Sequence, residues 1–185
     1  ITAVGLFVDK EEIGSVGNTS MSSAFFENAL AEILANQKNY SDLLLRRSIA
    51  NSKVLSADVI VALDPDFKEV SDDKNAALSG YGVAIAKYTG ARGKSGSNDA
   101  NSEFLREVVN KFNDNNVIWQ TSELGKTDQG GGGTIAYILA GKGAEVVDCG
   151  TAMLSMHAPY EILSKADAYM TMKACLLYTS DAADE

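Results

Sequence analysis

No stretch of this sequence stays apolar for the ~20 residues that span a bilayer, so a membrane helix is excluded as its organising element. The opening residues, ITAVGLF, have neither the basic start of a secretory signal nor an initiator Met, and the chain reads as beginning inside a domain. Histidine is almost missing: His157 is the only one. Cysteine is nearly as scarce, with Cys149 and Cys175 alone, too few for a disulfide framework and in keeping with a reducing cytoplasm. Basic residues are the minority charge, 16 against 25 acidic, for a net charge of −9. A chain of that sign has no electrostatic footprint for nucleic acid.

The last eleven residues, CLLYTSDAADE (175–185), read as the in-frame translation of a transposase adapter used in sequencing libraries. They are set aside here as a non-native tail, expected to make little contact with the rest. Residues 1–174 then form the domain. The tail holds three acids and no base, which leaves 22 acidic residues against all 16 basic ones. Cys149 becomes the only thiol of the body, so no internal disulfide can form.

What is present is ordinary for a globular chain: 45% hydrophobic and 22% charged residues, enough for one sizeable core. TAVGLFV (2–8), VLSADVIVALD (54–64), GVAIAKYT (82–89), VIWQT (117–121) and AEVVDCG (144–150) are apolar and β-branched, as buried strands are. Helical spacing of apolar residues marks 22–37 and 41–53, the second with Ser41 as N-cap. Further helices are expected over 98–112, after an Asn/Asp cap, over 132–143, between glycines, and over roughly 159–172. Alternating strands and helices predict an α/β domain with a mostly parallel central sheet. Ligands collect at the carboxyl ends of such strands, where Asp9, Glu11, Glu12, Asp64 and the stretch 151–157 fall.

Four residues there could do chemistry. Adjacent Glu11 and Glu12, if still extended, point to opposite sides, so one could hold a metal while the other reaches water. A charged turn is the commoner meaning of a lone Lys-Glu-Glu. His157 follows an apolar stretch, where a hydrogen-bonded core histidine is commoner than a ligand. Asp58 sits in an apolar strand, and a buried carboxylate needs either a polar partner or a metal. The glycine run in TDQGGGGTIAYILA (127–140) could expose N–H groups to an anion, but it lacks the Gly-Lys-Ser/Thr ending of a nucleotide loop. Four glycines in an ordered turn fit close backbone approach to some other ligand.

Taken in order, LFVDKEEIGSVGNTSMSSAFFE, LSADVIVALDPDF, KYTGARGKSGSNDANSEF, DQGGGGTIAYILA and VDCGTAMLSMHAPYEI resemble the aspartyl aminopeptidase and aminopeptidase I family of dinuclear zinc metallopeptidases, bacterial branch. The resemblance covers residues 2–173. It implies a three-layer α/β/α fold, truncated on its N-terminal side, that removes N-terminal residues from peptides. It makes Glu11 the general base, Glu12 and His157 ligands of one zinc, and Asp58 a ligand of a second, with Co or Mn as substitutes. Lys87, Gly131 and Gly132 become candidate substrate contacts, and a large homo-oligomer is implied. The family also uses a histidine, a bridging aspartate and a lid domain upstream of the Asp-Lys-Glu-Glu block, for which eight residues leave no room, so this chain alone is expected to be inactive. Many acid-preferring relatives carry histidines where this chain has Val61 and Asp64, which puts an acidic substrate preference in doubt. Two other readings compete: a non-catalytic subunit of a large peptidase-like assembly, which would need none of the four site residues, and an acidic nucleotide-binding domain built on the glycine loop.

Overall fold

The structure, a computed structural model, describes residues 2–37, 39–92, 94–126 and 128–180. Helix α1 spans Phe25–Ala35 and α2 spans Asp42–Ala50. The Ser41 hydroxyl caps α2 by accepting the Leu44 N–H at 3.1 Å, one of the donors that the first helical turn leaves free. Then come β1 (Lys53–Val61), β2 (Val83–Ala86), β3 (Tyr88–Ala91), β4 (Ser95–Asp99) and α3 (Ser102–Asp114). The chain continues through β5 (Trp119–Ser122), α4 (Ala136–Ala140), β6 (Glu145–Leu154), β7 (Ile162–Leu163) and α5 (Lys165–Ser180).

The central sheet runs β1-β6-β2-β5, with β7 on the end of β6. It is mixed but mostly parallel. β1 and β6 pair in parallel over nine residues and β2 and β5 over four, while β2 joins β6 antiparallel. Strand β6 is the buried spine. Its odd residues Val147 and Cys149 face one side with Val83 and Ile85, covered by Phe104, Val108 and Phe112 of α3 and Ala174 of α5. Its even residues face the other side. There Val146 packs with Ile49, Ala136 and Leu139, and Ala152 with Ile60, Ala84 and Ala86. The period-2 alternation thus builds two cores and the expected α/β/α layering.

Several elements differ from the sequence reading. Residues 2–8 form no strand among the described residues, and Phe7 is 101% exposed; a β-prone stretch needs a neighbour to take its N–H and C=O groups. The 82–89 strand breaks at Lys87 into β2 and β3, because the chain leaves the central sheet to pair with β4 instead. The expected 132–143 helix shrinks to α4, and the expected 159–172 helix starts late, at Lys165, after β7.

The tail also behaves otherwise than expected as far as it is described. Helix α5 runs on through 175–180, and Leu177 and Tyr178 pack on the core. The Tyr178 and Phe104 rings tilt together at 6.1 Å between centroids. A helix already begun extends cheaply, and Ala174, Leu177 and Tyr178 fall at the i, i+3, i+4 spacing that makes one face. Residues 181–185 lie outside the described residues. Deleting 175–185 is therefore expected to lower unfolding free energy by roughly 2–3 kcal/mol, about what burying one or two large side chains contributes. Urea denaturation of the shortened chain checks it, and an unchanged midpoint refutes it.

Candidate metal centre

The two glutamates lie on a tight turn. Residues Glu11–Ile13 form one 3-10 turn, entered through Lys10 at φ 63° and left through Gly14 at φ 88°. They are thus helical rather than extended, and their side chains splay by about a third of a turn instead of opposing. Lys10 anchors this turn: its ammonium donates to the Thr19 hydroxyl at 3.0 Å, which donates to Asp9 at 3.1 Å.

His157 arrives from the other side of the sheet's sequence. Strand β6 ends at Leu154, and the 155–161 loop returns the chain to β7, which pairs back onto Met153 and Leu154. The loop carries His157 to the Glu turn, where its Nδ1 lies 3.6 Å from Glu12 Oε2. Asp58 reaches the same region from β1, whose register sets it beside Gly150. That glycine is required, since a Cβ there would lie 1.6 Å from the Asp58 carbonyl oxygen. The Asp58 carboxylate is exposed rather than buried, and it accepts the Val59 N–H at 2.7 Å.

The charges register one another. Glu11 is held above the ordinary carboxylate range, first by partial burial and then by the Glu12 and Asp58 carboxylates, with His157 acting in the opposite sense. Two ligands of one tetrahedral zinc stand about 3.4 Å apart, so the Glu12 oxygen and His157 nitrogen have the spacing and the donor chemistry for zinc. Among the described residues no three His, Cys, Asp or Glu side chains form a complete ion-holding group. The residues present fit part of a zinc site.

The remaining candidates are engaged elsewhere. Lys87 forms an ion pair with Asp99 of β4. The glycine run lies alongside β3 as an extended segment: the Gly90 N–H donates to the Gly132 carbonyl at 3.0 Å and the Arg92 N–H to the Gly130 carbonyl at 2.7 Å. Gly131 has φ +81°, and a Cβ on it would sit 2.6 Å from the Leu124 carbonyl oxygen and 2.9 Å from that of Gly90. Backbone packing thus accounts for the glycine at 131. Gly131→Ala is expected to cost about 1–3 kcal/mol, the scale of one forced backbone conformation, read as a lowered thermal midpoint.

Sequence reasoning passed over Asp148 and Glu161. Asp148 is 3% exposed and accepts the Thr134 hydroxyl at 2.6 Å and the Asn98 amide at 3.1 Å. It fastens β4 and the end of the glycine run to β6. Its position on the inward face of an apolar strand, one residue before a buried Cys, was the available signal. Burial raises its pKa above the ordinary value despite those donors. A raised folded-state pKa contributes stability that is full below the unfolded value, about 3.9, and is lost as pH rises through the folded value. The stability advantage of the native chain over Asp148→Asn is accordingly expected to shrink as pH is raised from 3.5 to 7, in urea titrations at each pH.

An α/β/α domain of this topology, with a carboxylate and an imidazole converging beyond the end of its central strand, is of the metallopeptidase type. The crystal structure of an M18 family aminopeptidase from Thermotoga maritima superposes on it with a TM-score of 0.89 at 49% identity, covering 94% of this chain and 39% of that one. Aminopeptidase I from Clostridium acetobutylicum superposes with a TM-score of 0.82 at 51% identity, over 93% of this chain and 37% of that one. A curated protein of C. acetobutylicum, a probable M18 family aminopeptidase 1, is 54% identical over 170 residues. A family model described as aminopeptidase I zinc metalloprotease (M18) matches residues 1–178. The chain belongs to the M18 family. The match covers 92% of this chain but only 37% of that curated relative.

Proposed function

We propose that this segment supplies one wall of the active site of a zinc-dependent aminopeptidase that removes N-terminal residues from peptides. The observation that carries the reading is the 3.6 Å approach of His157 Nδ1 to Glu12 Oε2, made by two loops far apart in sequence. Glu12 and His157 would hold one zinc ion and Asp58 a second, with Co or Mn as substitutes. Bound zinc supplies Lewis acidity, polarising the scissile carbonyl and lowering the pKa of water toward ~7.

Glu11 is the proton carrier. Its partly buried carboxylate, raised above the ordinary range, takes a proton from the attacking water and returns it to the leaving amine. Asp58 and Glu12 keep the surroundings anionic, which favours both cation binding and a basic Glu11. To meet an acidic substrate side chain, Lys87 would have to leave Asp99. The reading therefore favours neutral N-terminal residues. Gly131 and Gly132, held along β3, are proposed to offer their remaining backbone groups to substrate. The buried Cys149, whose thiol burial makes inert, accords with a cytoplasmic protein, and the full-length protein is proposed to be a homo-oligomer.

The test is metal occupancy. In a polypeptide restored to its relatives' length, Glu12→Gln exchanges an anionic ligand for a weakly coordinating amide, so zinc content after dialysis should fall well below that of the native protein. Zinc content equal to native would refute the assignment of Glu12.

A further inference from the structure

We infer that Glu161 is the positioning residue that holds His157 against Glu12; this rests on the zinc reading above. His157 has φ 68° and Ser155 φ 57°. Left-handed backbone is disfavoured for residues with a Cβ and persists only where neighbours impose it. Two features impose it here. The loop is pinned at its base, because Leu154 and Ile162 are paired across β6 and β7. Within it, the His157 N–H donates to Glu161 Oε1 at 2.7 Å, a charge-assisted bond of the strong kind. The Ala158 N–H closes the turn onto the Ser155 carbonyl at 2.9 Å.

Glu161 stands one residue before β7, on the anchored side of the loop, and reaches back across it. Its carboxylate touches the backbone of His157 and leaves the imidazole free. The ring is thereby aimed at Glu12 without Glu161 competing for the donor nitrogen. A loop released from this bond can relax His157 toward extended φ, which swings the Cα–Cβ bond and carries the imidazole off the glutamate turn. The presence of a fourth carboxylate here would otherwise be unfavourable, since Glu12 and Asp58 already act on Glu11.

The experiment follows His157 by NMR in a polypeptide restored to its relatives' length and in its Glu161→Ala and Glu161→Gln variants, during titration with zinc chloride and competition with a chelator. Gln keeps a carbonyl oxygen able to accept the same N–H; Ala does not. Glu161→Ala is expected to shift the His157 amide proton upfield and speed its exchange, and to weaken zinc binding by about tenfold or more, the usual effect of losing a residue behind a ligand. Glu161→Gln is expected to restore both largely. Circular dichroism matching the native chain establishes that the variants are folded. An Ala variant with unchanged His157 amide behaviour overturns the inference, as does one with faster exchange but native zinc affinity. If the native chain shows no zinc-dependent shift of the His157 ring, the zinc reading itself falls and this inference with it.

Discussion

Glu11→Gln, made in a polypeptide of the relatives' full length, is expected to lower turnover of aminoacyl anilides by at least about 100-fold, the scale of a lost general base, while zinc content stays native. Gln preserves the size and hydrogen bonding of Glu but cannot carry a proton. Among the described residues, Glu11 lies where burial and two neighbouring carboxylates raise its pKa, the direction that makes a carboxylate a stronger base. Glu12 faces His157 instead. Metal analysis and steady-state kinetics on the same preparations separate the two roles. Normal turnover in Glu11→Gln removes it as base; loss of zinc in Glu11→Gln with retention in Glu12→Gln shows that the order within the pair is reversed.

Phe104→Ala should be the most damaging single truncation for the fold, at about 3–5 kcal/mol, the range for deleting a buried phenyl ring. Phe104 is 1% exposed and lies in the core that Val83, Ile85, Val147 and Cys149 of the sheet share with α3 and α5. It also meets Tyr178 across the helices and carries the Lys53 ammonium 5.6 Å from its ring centroid. Little around it can collapse to refill the space, because its neighbours are strands fixed by their ladders. Urea denaturation followed by the fluorescence of Trp119 measures the loss. A cost under about 1 kcal/mol, typical of tolerated volume-conserving swaps, would mean that α3 is not packed on the sheet as described. Asp167 should resist replacement for a different reason. It is 1% exposed, and its carboxylate accepts the N–H groups of Gly80 at 2.6 Å and Gly82 at 2.8 Å, which would be left without partners.

The sequence alone determined the layer architecture and the elements whose pattern is local. α1, α2 and α3 carry apolar residues at helical spacing, and Ser41 and Asn101 cap the helices that follow them. β1 and β6 are apolar, β-branched runs, and their alternation fixes which residues face which core. Glu11, Glu12, Asp58 and His157 stood out by residue type, but commoner structural readings stood beside each, and their roles came only with the family resemblance. Tertiary structure decided how they are used. Whether a Lys-Glu-Glu turn is mere surface depends on what approaches it, and the approach of His157 is set by the β6–β7 pairing and by Glu161, contacts that no local pattern encodes. The glycine run read as a helix entry near a ligand; its partner is β3, a strand some forty residues earlier, and a Cβ at Gly131 has nowhere to go because the Gly90 carbonyl of β3 and the Leu124 carbonyl both close on it. Residues 2–8 show the converse. Their β propensity is real, but a strand is completed by its neighbour's N–H and C=O groups, and propensity cannot provide that neighbour.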